Sequence, residues 1–342
     1  MAKKFEMAVK FERDDTKYTM KLNASDFFSR AGVGFRGFFI CFFNCLVALV
    51  FTLLLASAVL SSPAISKNSR VTVSKTAPEE ADAAKMYPWL RRNENYEPLS
   101  KRVAPPAGFK RVKVRKDSYA YWLRHLPLLS KGTKVKDYKG RVLRSSSAAS
   151  FAVVDLDVGK RDLQQCVDVL MRLRAEYLWW SGEKNKIAFR YAGGKYVGWK
   201  HWRAGLRPKR RGRKTVLEKG GRRGSSRKNF EAYLTFMFAM TGTMHHVREP
   251  RVKFKDMKAG DFFIQPPPRA GSLGHAVGIL DLARNSKGEV RALIGEGFTP
   301  AQDFHLLKAP GGARWFKLKP GVKVRTPQWS PFKWSDLARF RY

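Results

Sequence analysis

The sequence predicts an α+β domain with an antiparallel sheet, set behind a single transmembrane helix. Three observations lead there. An uncharged apolar run fills residues 37–60. The best helical periodicity in the remainder lies early, over 162–180. Short β-patterned runs then follow one another from Phe262 onward, separated by turn signals. Helices first and consecutive strands afterwards describe α+β architecture.

The chain has 342 residues, enough for one large domain or two small ones. Hydrophobic residues make up 44% and aromatics 13%, which supplies a core and excludes a disordered polycation. Lys and Arg number 67 against 28 Asp and Glu, a net charge of +39 spread along the whole chain. Such a field draws polyanions: nucleic acid, anionic lipid or acidic envelope polymer. It also serves plain solubility. No RRM, KH or helix-turn-helix pattern is present, so nucleic acid is the least expected of these partners.

From Gly37 to Leu60 no side chain is charged, and the run would span about 36 Å as a helix, enough for a bilayer core. Residues 1–36 form a basic leader with eight Lys/Arg, which predicts a cytoplasmic N-terminus and the rest of the chain across the membrane. A permanent signal anchor is the expectation. Cleavage at Ala56-Ser57-Ala58, releasing a secreted form, is the alternative. Residues 61–85 read as a linker, and the domain begins at 86.

Within 86–342 the elements follow in order. Residues 109–124 read as a strand and a turn of aromatic-rich helix, 134–143 as a hairpin around Gly140, and 148–155 as a buried strand. A helix is expected from Asp162 to Trp180. Leu163, Val167, Leu170 and Leu178 form one stripe, Cys166, Val169, Leu173 and Tyr177 the next. Asp168, Arg172 and Glu176 form a charge ladder on the far side. Residues 187–191 read as a strand. Residues 204–228 read as a mobile basic insertion, with eleven Lys/Arg and one Glu between Arg207 and Lys228. Its candidate polyanion-binding residues are Arg207, Lys209, Arg210, Arg211, Arg213, Lys214, Arg222 and Arg223. A helix is expected from Ser225 or Ser226 to about His246. Strands follow at 262–265, 275–282, 290–296, 304–307 and 315–318, and Ser335 opens a short terminal helix.

Cys166 is the one cysteine outside the apolar run, so neither a disulfide framework nor a Cys-rich zinc site is expected. The six histidines show no metal-ligand spacing, and no metal or cofactor is expected. Cys166 sits near a helix start, where the dipole favours a thiolate, and His275 opens a strand in Gly274-His275-Ala276-Val277-Gly278-Ile279-Leu280. His275 is the candidate base and acid, Glu296 on the next strand the group that holds its ring, and Gln164 or Gln165 a candidate oxyanion donor. Asp281 and Asp303 are weaker candidates for the place of Glu296. A buried, inert cysteine and a structural histidine are the competing reading of the same residues.

Asp155-Leu156-Asp157-Val158-Gly159, the run Arg161 to Cys166, Arg172 to Leu178, Gly260 to Ile264, Gly274 to Val277 and Pro300-Ala301-Gln302-Asp303 resemble, in the same order, a bacterial family of unknown function numbered 4846. The likeness covers about 86–342, and the family pattern has Gln where this chain has Glu296. A helix-borne Cys, a Gly-Asp before an apolar strand and a His opening the next strand also resemble NlpC-like papain-fold peptidases, although the Cys-to-His spacing here is longer. That resemblance implies a papain-like fold and a cysteine peptidase or amidase acting on peptides of the cell envelope. The alternative is a non-catalytic envelope module that holds an anionic polymer or lipid through the basic insertion.

Overall fold

The computed structural model describes residues 85–90 and 97–342. The basic leader, the apolar run and nearly all of the linker lie outside the described residues. Among the described residues no helix is long and apolar enough to cross a membrane.

The chain forms a mixed α/β structure with antiparallel sheets. In order come β1 (Lys110–Arg111), α1 (Tyr119–Arg124), β2 (Ser150–Val153), α2 (Cys166–Trp180), β3 (Ala188–Arg190), β4 (Tyr196–Gly198), α3 (Trp199–Arg203), β5 (Leu206–Arg211), β6 (Lys214–Lys219), α4 (Arg227–Met240), α5 (Thr243–His246), β7 (Phe262–Gln265), β8 (His275–Arg284), β9 (Val290–Glu296), β10 (His305–Leu307), β11 (Phe316–Leu318) and β12 (Leu337–Ala338). The main sheet runs β12-β7-β8-β9-β10-β2, with β11 on β9 and β1 on β8. Its pairings are antiparallel.

Alternation along the strands builds a core on each face. Ala276, Leu280 and Leu293 join α2 and α4 in one; Phe263, Val277, Ile279, Ile294 and Phe332 form the other. At Gly278 a Cβ would stand 2.7 Å from Leu170 Cδ2, so the missing side chain lets α2 lie close on β8. A bulge between Ile279 and Asp281 breaks the alternation further along. There Asp281 turns to Arg111 and Arg124, each at 2.7 Å, away from the imidazole it was a candidate to hold.

Four local expectations are corrected. The helix starts at Cys166, not Asp162, because the Asp162 carboxylate is engaged by the Ala301 N–H at 2.7 Å. Asp168, Arg172 and Glu176 do not form an exposed ladder. All three are buried, and Arg172 Nε donates to Glu176 at 3.1 Å while Arg227 from α4 binds the same carboxylate. The helix expected through His246 breaks after Met240, where the Thr241 hydroxyl donates to the Met237 carbonyl at 2.8 Å and Gly242 is extended. The basic insertion is an ordered hairpin, with β5 and β6 paired from Leu206↔Lys219 to Arg211↔Lys214. Gly212, at φ +59, supplies the turn, and the Thr215 hydroxyl ties the hairpin to the Ala192 carbonyl at 2.7 Å.

Candidate functional site

The start of α2 is fixed by polar contacts that its own sequence provides. Gln165 is the extended N-cap residue, and its N–H donates to Asp168 Oδ2 at 3.2 Å. The Gln165 side chain donates to Asp162 Oδ1 at 2.9 Å and accepts from the Thr299 hydroxyl at 3.1 Å. Gln164 is turned inward, donating to the Asp157 carbonyl at 3.0 Å and accepting from Arg172 Nη1 at 2.9 Å. Both candidate oxyanion amides are therefore engaged elsewhere.

Cys166 is the first residue of the helix and 6% exposed. Its thiol donates to the Gly274 carbonyl at 3.9 Å, beside the peptide that leads into His275. Burial first, and then the Asp168 carboxyl, push the thiol up to about 12; the Ala276 and Val167 N–H groups act in the opposite sense. Desolvation thus outweighs the helix dipole here, and the resting sulfur is protonated. It lines a cleft of about 240 Å³ with Asp168, Thr243, Leu273 and Thr299.

His275 and Glu296 are brought together. Nε2 donates to Glu296 Oε2 at 2.8 Å, and the ring packs between Phe298 and Trp329, at 4.7 and 4.8 Å between centroids. Among the described residues the second nitrogen, Nδ1, has no hydrogen-bond partner. Glu296 is fully buried. Burial alone would raise its carboxyl, but the His275 hydrogen bond first, and the nearness of the His305 ring, hold it below the usual carboxylate range. His305 Nδ1 donates to the Asp303 carbonyl at 2.9 Å, which directs Nε2 at Glu296 Oε1, 3.7 Å away. Among the described residues neither of those two atoms has a hydrogen-bond partner. Asp303 itself accepts from the Lys136 N–H and does not reach His275.

The thiol and the imidazole approach from different sides. Gly278 faces α2, and the β7–β8 register is unbroken from His275 to Gly278, so His275 projects from the opposite face. Its ring accordingly lies 6.3 Å from Phe332 of the second core. Sγ makes no hydrogen bond to the ring. The route between them passes the leading end of β8 at Gly274. A Cβ there would collide with Thr243 Oγ1 and stand 2.5 Å from the Gln265 carbonyl oxygen.

On the hairpin, Lys209 and Arg211 share Glu218, each at 2.9 Å, and Arg210 donates to the Arg213 carbonyl. Arg207 lies 3.5 Å over the Trp202 ring and donates to backbone carbonyls, so it is a packing residue. Arg213, Lys214, Arg222 and Arg223 are exposed.

Two participants were missed at the level of sequence. Asp168 was read as part of a solvent-facing ladder, although Cys-x-Asp at a helix start places an acid at the third helical position, where it caps. His305 stood in a short strand without periodicity to mark it. Among the described residues no cluster of three His, Cys, Asp or Glu side chains fits a metal ion.

No curated protein and no solved structure matches the chain. The model of one family, described as domain of unknown function (4846), matches residues 99–339, the sheet and the Cys166, His275 and Glu296 positions included, and the chain belongs to that family.

Proposed function

We propose that the chain is a cysteine hydrolase of amide bonds, with Cys166 as nucleophile, His275 as base and acid, and Glu296 as the group that holds the imidazole. One observation carries the reading. His275 is tied through Nε2 to Glu296 while Nδ1 stands without a partner, at the strand end that the Cys166 thiol touches. An oriented imidazole with one nitrogen free is what a base needs.

The chemistry requires the Cys166 side chain to rotate past Gly274 toward Nδ1. The thiol proton then passes to Nδ1, sulfur bonds to the substrate carbonyl carbon, and the carbon–nitrogen bond breaks as the imidazolium protonates the leaving amine. Water, deprotonated by the same imidazole, releases the acid from the thioester. Anchored by the run 37–60, such a domain would work outside the inner membrane on peptide amides of the envelope.

Alkylation of Cys166 by iodoacetamide at pH 7, followed on the Cys166 peptide by mass spectrometry, tests the pairing. The rate should fall at least tenfold in His275→Ala. Equal rates in both chains refute the nucleophile–base assignment.

The hairpin favours a second, compatible role as a contact for anionic envelope polymer. Its exposed cations outnumber its single carboxylate, and an ordered ribbon holds them in fixed register.

A further inference from the structure

The cleft beside Cys166 is chemically unlike the rest of the chain. The chain carries 67 Lys and Arg, yet among the described residues none lines this cleft, whereas Asp162 and Asp168 both do. Asp168 is 5% exposed, and only one of its oxygens is engaged, by the Gln165 N–H. Oδ1 is buried without a hydrogen-bond partner. A buried acceptor left open is costly, and natural sites of this kind are filled by a donor. Burial also holds the carboxyl well above its ordinary range, so a cation arriving beside it would draw off the proton and gain an ion pair in a poorly solvated place.

We propose that this cleft binds a primary ammonium of the substrate, with Asp168 Oδ1 as its acceptor, next to the amide that Cys166 attacks. The inference deepens the hydrolase reading and rests on it for the scissile bond. It names the substrate class as peptides with a free amino group near the bond cleaved. The cationic surface outside repels such a group, so selection is left to the acidic cleft. Asp168 touches the substrate in this account, while Gln165 and Thr299 only fix the helix start.

The test uses two thiol reagents of matched chemistry on the full chain at pH 8. Aminoethyl methanethiosulfonate is cationic and methyl methanethiosulfonate is neutral. With each, the thiolate sulfur displaces methanesulfinate and forms a mixed disulfide, read on the Cys166 peptide by mass. The rate ratio, divided by that of a small free thiol, should be about tenfold in favour of the cation. Asp168→Asn keeps the capping acceptor and should bring the ratio to about one, while Asp168→Glu should retain a preference. A native ratio at or below that of the free thiol overturns the proposal. So does a ratio unchanged by Asp168→Asn, or no modification by either reagent. Should Asp168→Asn fail to fold, the unsubstituted chain decides: ethylammonium chloride must slow modification by the neutral reagent more than sodium chloride of equal ionic strength. Equal slowing refutes the site. His275→Ala separates the two readings, since it lowers both absolute rates if the hydrolase assignment holds and leaves the ratio alone.

Discussion

Replacing Glu296 by Gln should stabilise the domain at neutral pH, although it removes a buried hydrogen-bonded carboxylate. In the native chain Glu296 accepts one bond from His275 at 2.8 Å, while Oε1 and His305 Nε2 face each other at 3.7 Å without a bond. The tautomer that places its ring proton on Nδ1, facing the Asp303 carbonyl, offers only a lone pair toward that oxygen. A Gln carbonyl keeps the His275 bond, and its amide N–H can donate to His305 Nε2. The exchange gives up about 1 kcal/mol, the difference between a charge-assisted and a neutral hydrogen bond, and relieves two buried polar atoms at about 1–3 kcal/mol each. A net gain of about 1–5 kcal/mol follows, which raises the melting temperature by several degrees for a domain of this size. The sign with pH is fixed by the depressed Glu296 carboxyl: its contribution is present above the ordinary value of 4.5 and is lost as pH falls through the folded value. Gln has no such loss, so its advantage should widen on acidification below that value. Urea denaturation of both chains at pH 8, 6 and 4 measures this. A Gln chain less stable by more than 2 kcal/mol at pH 8 would refute the reasoning, because the open His305–Glu296 pair could not then be a liability.

Two further outcomes are expected. Gly274→Ala should cost about 3 kcal/mol, the upper range for overpacking, because two of the atoms met are backbone and cannot swing aside. It should also slow Cys166 alkylation, and denaturation together with peptide mass mapping checks both. Replacing Arg210, Arg213, Lys214, Arg222 and Arg223 by Gln should weaken binding to long-chain polyphosphate and lower the slope of log affinity against log salt by about 3.5, near 0.7 per lost phosphate contact. An unchanged slope would remove the hairpin from polymer binding, and equally strong salt-dependent binding to DNA would make the surface unspecific.

Strand periodicity from 262 to 318 was legible because each run is short, β-branched or aromatic, and ends on a turn residue; the observed β7 to β11 fall where the pattern puts them. The pairing of His275 with Glu296 was legible for the same reason, since neighbouring antiparallel strands must bring one end of each together. The helix start was not, because Asp162 is the better cap by residue type, and its engagement depends on Ala301, as that of Gln165 does on Thr299, far along the chain. The hairpin was hidden by its charge. Its register rests on Thr215, Val216, Leu217 and one tight turn, too few apolar residues to outweigh the surrounding Arg and Lys. Burial of Arg172 and Glu176 was equally invisible, for their partners Asp157 and Arg227 come from opposite directions in sequence.

Gly278 acts as a spacer of zero thickness. Because nothing projects there, the long helix rests on strand backbone through Leu170, and the height of the sulfur above the sheet is set by a methyl group that is absent. Each carbon added at 278 would lift the helix a little. Residue 278 is therefore a dial on the distance between the Cys166 sulfur and the His275 ring that touches neither of them.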